Sequence, residues 1–124
     1  MKKILIIDDD LDLIENTKQF LEANSYEVIS ASSGKEGLAK AETENPDLFI
    51  IDVMMETWGA GFNVVDKLNE NEKNKDVPRI LLTALGLQSS LEPVTPEQMH
   101  VKFVLQKPLE PATLLKYVKS ALDE

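Results

Sequence analysis

Short apolar runs alternate with amphipathic stretches along the chain. Ile4–Leu5–Ile6–Ile7 is rich in β-branched residues and stops at Asp8, as a buried strand does. Leu13, Ile14, Thr17, Phe20 and Leu21 then share one helical face. Val28–Ser30 reads as a second strand. Ser33 followed by Glu36 is a capping-box signature, opening a helix through about Glu42 that Pro46 keeps from continuing. Leu48–Ile51 is a third strand, ending at Asp52. After a glycine-containing loop, a helix turns Phe62, Val65 and Leu68 inward, and the polar run Asn69–Asp76 ends it. Ile80–Leu82 is a fourth strand, ending at Thr83, and Val101–Leu105 a fifth, ending at Lys107–Pro108. Pro111, at a first helical turn, opens the last helix, whose apolar face is Leu114, Leu115, Val118, Ala121 and Leu122.

Strands alternating with helices predict βαβ units and therefore an α/β fold with a five-stranded parallel sheet. Strands that are apolar almost throughout need helices on both sheet faces. The segment Gly86–His100 breaks the pattern, because Pro93 and Pro96 cannot both lie inside one regular helix. The fourth helix is therefore expected to be irregular, one or two short turns opened at Ser89 and Thr95. No repeat or linker interrupts the chain, and 124 residues suit one domain spanning 1–124.

Charge narrows the function. Thirteen Lys and Arg against 22 Asp and Glu give a net charge of −9, the wrong sign for gripping phosphate backbones or an anionic membrane surface. The absence of cysteine removes disulfides, thiol catalysis and Cys-ligated zinc together. Lys2 and Lys3 before Ile4–Ile7 resemble a signal peptide only faintly, since the apolar run ends after four residues. No stretch approaches the roughly 20 apolar residues of a membrane span. The expectation is a cytoplasmic protein that binds neither membrane nor nucleic acid directly.

The strand ends carry the candidate chemistry. In open parallel sheets, ligands bind beyond the carboxyl ends of the strands. Those ends are Asp8–Asp9–Asp10, Asp52, Thr83 and Lys107. Each also has a structural reading: Asp8–Asp10 can cap the first helix, Asp52 can be a turn residue, Thr83 a strand-end hydroxyl and Lys107 a solvated lysine. Right-handed crossovers, however, bring all four ends to one rim. Two unit charges about 4 Å apart repel by roughly 4 kcal/mol at an effective dielectric near 20. Converging Asp8, Asp9 and Asp52 therefore call for a cation, and oxygen ligands without sulfur or histidine point to Mg²⁺. Lys107 and Thr83 add a cation and a hydroxyl donor for an anionic group, which together describe a phosphoryl-transfer site.

With these residues in view, the chain resembles the receiver domain of bacterial two-component response regulators. The likeness rests on Ile4–Asp9, on Pro46–Asp47–Leu48–Phe49–Ile50–Ile51–Asp52–Val53–Met54–Met55, on Leu82–Thr83–Ala84 and on Lys107–Pro108. It implies a flavodoxin-like sheet of order 2-1-3-4-5, an order the family itself exemplifies. It also implies a signalling domain rather than an enzyme. Asp52 would be the phosphoacceptor for a histidine kinase or phosphotransfer protein. Asp9, Asp52 and the backbone carbonyl of Met54 would ligate Mg²⁺, with Asp8 acting largely through water. Thr83 and Lys107 would bind phosphoryl oxygens, Ala84 would leave the group room, and Pro108 would set the loop after Lys107. The output would be a downstream protein or a fused domain.

Three departures from the family pattern stand out. Glu56–Thr57–Trp58–Gly59–Ala60–Gly61 makes the loop beside the metal about one residue longer. Val104 stands at the family's aromatic switch position, and strand alternation puts its neighbour Phe103 on the opposite face unless a bulge intervenes. The prolines break the fourth helix. Other readings of the rim are a haloacid-dehalogenase-like phosphatase with Asp8 as nucleophile, a flavin carrier on the same fold, and a receiver-like scaffold that never uses its phosphate. The phosphatase lacks the acidic pair it needs after Lys107. The flavin phosphate would be repelled by three aspartates. The scaffold would be marked by a missing acceptor or metal residue, and none is missing.

The family pattern also bears on the lifetime of the phosphoryl group. Two positions flank the in-line approach of water, here Met54 and Leu85, and neither side chain orients a water by hydrogen bonding. Autodephosphorylation is expected to be slow. Met54→Asn with Leu85→Glu should speed phosphoryl decay roughly tenfold, about 1.4 kcal/mol of barrier. Decay followed in Mg²⁺ after donor removal checks this, and equal rates in the two proteins refute it.

Overall fold

The computed structural model describes residues 1–52, 60–83, 103–107 and 110–124, with 60–63 and 106 as backbone only. The strands are β1 (Lys3–Ile7), β2 (Glu27–Ala31), β3 (Leu48–Asp52), β4 (Arg79–Thr83) and β5 (Phe103–Gln106). The helices are α1 (Leu11–Ala23), α2 (Gly34–Glu44), α3 (Ala60–Asn69) and, after β5, α4 (Pro111–Ala121). The sheet is parallel with order β2-β1-β3-β4-β5. The irregular helix expected within Gly86–His100 lies outside the described residues.

Strand alternation divides the core into two layers. Leu5, Ile7, Phe49, Ile51 and Leu81 face Ala41 of α2 and Val64, Val65 and Leu68 of α3. Ile4, Ile6, Leu48, Ile50, Ile80 and Leu82 face Ile14 and Leu21 of α1 and Leu114, Val118 and Ala121 of α4. Helices thus cover both sheet faces, as the uninterrupted apolar strands require.

Helix starts follow local chemistry. The Asp10 side chain accepts from the Leu13 N–H at 3.1 Å and caps α1. Ser33 caps α2 by accepting from the Glu36 N–H at 3.1 Å. The return half of that box is displaced: Glu36 reaches the Ser32 N–H at 2.8 Å, one residue before the cap. That hydrogen bond, then Lys40, holds the Glu36 carboxyl below the usual range. Glu110 precedes α4 without a side-chain cap, and Pro111 supplies the first-turn geometry instead.

Two features escape periodicity. β4 starts one residue before the apolar run, at Arg79, which is fully buried. Its guanidinium donates to the Asn69 side chain, to the Asn74 carbonyl at 2.8 Å and to the Lys75 carbonyl at 3.2 Å. Burial pulls its pKa down, while the charge of Asp76 pushes the other way. The second feature is Gly37, which lets α2 lie close on β1: a Cβ there would stand 2.4 Å from Ile7 Cδ1 and 2.8 Å from Cγ1.

Gly37→Ala therefore sets two effects against each other. Alanine gains about 1 kcal/mol of helix propensity, while overpacking a filled site costs roughly 1–3 kcal/mol. Net destabilisation in urea unfolding is expected, because Cγ1 cannot swing clear as a side-chain end can. The loss should shrink in an Ile7→Val background, which removes Cδ1; an unchanged loss would place the strain elsewhere.

Candidate functional site

The parallel register assembles the rim. Ile7 pairs with Ile51, so Asp8 and Asp52 follow side by side at the ends of β1 and β3. Asp52 pairs with Leu82, which leaves Thr83 one step beyond it on β4. Thr83 pairs with Gln106, and the Lys107 N–H donates to the Thr83 carbonyl at 2.7 Å. Asp8 is held from the other side by its own N–H on the Ala31 carbonyl at 3.0 Å.

Asp8, Asp9 and Asp52 each present a carboxylate oxygen within 4.8 Å of the others. Asp8 is fully buried, Asp52 is buried and Asp9 is exposed. The Lys107 Nζ lies 2.9 Å from Asp8 Oδ2 and 3.3 Å from Asp52 Oδ2. The other Asp8 oxygen accepts the Asp10 N–H at 2.9 Å. The acidic run thus divides its work: Asp10 caps α1, while Asp8 and Asp9 line the rim. Lys107 is no solvated lysine, its side chain being 19% exposed. Burial works against its charge, but the hydrogen bond and charge of Asp8, with Asp52, outweigh it and hold the ammonium above its ordinary pKa. Three carboxylates around one bonded ammonium leave a net negative oxygen cluster that could hold a metal ion.

The structure therefore brings together Asp8, Asp9, Asp52 and Lys107, with Thr83 buried at the next strand end. Met54, Ala84, Leu85 and Pro108 lie outside the described residues, as do Trp58 and His100. Of the expected longer loop, Ala60 and Gly61 belong to α3.

The β4–β5 ladder runs without a bulge from Ile80–Phe103 to Thr83–Gln106. Thr83 and Val104 accordingly share the face of Leu81, where Val104 packs against the α2–α3 layer. Phe103 is on the other face and meets Tyr117 of α4 edge-on, ring centroids 4.9 Å apart and planes at 67°. Sequence reasoning missed Tyr117, which sits off the apolar stripe of α4; alternation of Phe103 toward that helix was the available signal.

Lys107→Met leaves Asp8 buried beside Asp52 without the cation. Breaking such a pair costs roughly 3 kcal/mol, to be read by urea unfolding at pH 7 in metal-free buffer. Adding Asp8→Asn should recover part of the loss, because the stranded charge is gone. Equal stability of Lys107→Met and wild type would show that solvent supports the carboxylates without the lysine.

Comparisons with known proteins agree with this arrangement. Residues 4–119 match the response regulator receiver domain family. The chain is similar to the alkaline phosphatase synthesis transcriptional regulatory protein PhoP of Bacillus subtilis, 34% identical with 86% of this chain and 49% of the relative covered. It spans about half the length of that relative. It is also similar to protein PilH of Pseudomonas aeruginosa, 28% identical and covering 98% of both chains. Among solved structures, a CheY-like receiver domain protein from Methanospirillum hungatei superposes with a TM-score of 0.88 at 32% identity, covering 99% of this chain and 94% of that one. Chemotaxis regulator CheY4 of Vibrio cholerae gives 0.87 at 31%, covering 98% and 99%. Among the described residues, no helix is long and apolar enough to cross a membrane. The phosphatase alternative finds no support, since the family that residues 4–119 match is that of receiver domains. By its fold, its acidic rim and its match over residues 4–119, the chain belongs to the receiver domains of two-component response regulators, which signal as phosphoacceptors.

Proposed function

We propose that residues 1–124 act as one receiver module in which Asp52 accepts a phosphoryl group from a phosphohistidine of a histidine kinase or phosphotransfer protein. The observation that carries this reading is the Lys107 ammonium bonded across Asp8 and Asp52 beside the exposed Asp9. An Asp52 carboxylate oxygen attacks phosphorus; the O–P bond forms as the P–N bond breaks, and the electron pair returns to the imidazole nitrogen. Lys107 then turns from Asp8 to a phosphoryl oxygen, and the Thr83 hydroxyl donates to another. The small Ala84 leaves the group room, and Pro108 directs the chain after Lys107. Positioning and charge neutralisation supply the catalysis, so the module promotes its own modification without turning over a substrate as an enzyme does.

The donor set fits Mg²⁺, being hard carboxylate oxygens without sulfur or histidine. Asp9, Asp52 and the Met54 backbone carbonyl would hold it directly and Asp8 through water. When bound, it neutralises charge on the phosphoryl oxygens.

The modified domain would pass its state to a downstream protein or a fused output domain, in the cytoplasm. The net charge of −9 argues against direct contact with nucleic acid or an anionic membrane surface.

Intact mass after incubation with acetyl phosphate and Mg²⁺ tests the reading. Wild type should gain one phosphoryl group and Asp52→Asn none; equal gain in both would move the acceptor elsewhere. Mg²⁺ should also stabilise the fold by about 2.7 kcal/mol at 100 times Kd. Asp9→Asn should remove that gain, and a melting temperature indifferent to millimolar Mg²⁺ would refute the metal assignment.

A further inference from the structure

On the reading above, phosphorylation of Asp52 has to be felt at the surface, and the two faces of β5 are unequal to that task. On the Thr83 face stands Val104. A valine branches at Cβ and has no ring to swing into space that a moving threonine vacates. On the other face, Phe103, Leu105 and Lys107 stand at alternate positions, the first two packed against the α1–α4 layer. Lys107 ends this row and touches both Asp8 and Asp52. Phe103 begins it, about 13 Å away along the strand, against the half-buried Tyr117.

We infer that the charge state of Asp52 reaches the surface through Lys107 and β5 to the Phe103–Tyr117 ring pair, on the face opposite Thr83. Lys107 has two alternative anions, Asp8 as seen here and the acyl phosphate that Asp52 would become. An acyl phosphate brings added negative charge and further acceptor oxygens next to an ammonium already 3.3 Å from Asp52. Movement of Lys107 draws on the strand itself, because its N–H is tied to the Thr83 carbonyl at 2.7 Å. β5 has room to give, because it is an edge strand, paired with β4 alone among the described residues. The edge-on contact at its far end is directional, so a small slide of β5 changes how Tyr117 sits against the Phe103 ring.

The chain has two tyrosines, which makes the test direct. In protein labelled with 3-fluorotyrosine, Tyr117 reports the ring pair. Tyr26, which precedes the other edge strand, β2, and whose hydroxyl donates to Glu124 at 2.6 Å, gives the second signal. Tyr117→Phe assigns the two resonances. Fluorine NMR and intact mass are recorded on the same samples, before and after acetyl phosphate with Mg²⁺. The Tyr117 resonance should shift in wild type and in Val104→Ala, and the shift should fall by at least half in Phe103→Leu, with Phe103→Met as substitute should the leucine variant not fold. A phosphorylated wild type with an unmoved Tyr117 resonance overturns the inference and leaves the phosphoacceptor reading intact. So does a response lost in Val104→Ala and kept in Phe103→Leu. No mass gain in wild type overturns the phosphoacceptor reading, and the relay with it.

Discussion

Three carboxylates converge on one rim of this molecule, and their mutual repulsion is the constraint around which that rim is organised. The parallel pairing of β1 with β3 makes the crowding unavoidable, since Asp8 and Asp52 follow paired residues. The offsetting charge comes from far away in sequence and from across the sheet. Lys107 follows β5, which is separated from β3 by β4, yet its ammonium reaches both Asp8 and Asp52. What allows the reach is the Lys107 N–H on the Thr83 carbonyl, which extends the β4–β5 ladder one step past the strand end. The sheet order therefore does electrostatic as well as topological work. Order 2-1-3-4-5 puts the acidic strands inside the sheet and the cation at the edge, close enough to pair with both carboxylates.

Most of the architecture was legible because the central strands β1, β3 and β4 are buried on both faces. Such strands read as unbroken apolar runs, and each run stopped at a polar residue that the structure places on the rim: Asp8, Asp52 and Thr83. Alternation was enough to separate Phe103 from Val104, and the unbroken β4–β5 register bears that separation out. The two residues were distinguishable because a parallel ladder without a bulge leaves no freedom in which face a position takes.

What could not be read depended on long-range partners. Arg79 looks like a surface cation before an apolar run, and the carbonyls of 74 and 75, the Asn69 side chain and the charge of Asp76 make its burial tolerable. Glu36 fits a capping box, but its carboxylate chose Ser32 over Ser33, a choice that rests on backbone direction rather than spacing. Gly37 gives no sign in sequence that Ile7 fills the space its side chain would take. The run Asp8–Asp10 was legible in part: Asp8 and Asp9 were expected on the rim, whereas the cap role of Asp10 shows only in its side chain accepting from the Leu13 N–H.

The carboxyl rim of the sheet and the amino end of β4 are built on different chemistry. At the carboxyl ends, like charges crowd together and opposite charges pair. At the amino end of β4, the buried Arg79 is held chiefly by uncharged oxygens, with Asp76 acting from farther off. Dissolved ions weaken forces between charges, most of all at exposed groups such as Asp9, and barely touch hydrogen bonds to buried carbonyls. Ionic strength is thus a selective variable for this fold: it retunes the exposed charges, Asp9 on the signalling rim and the pairs of Lys3 with Glu27 and Glu44 at the other end, and leaves the hydrogen bonds of Arg79 as they were.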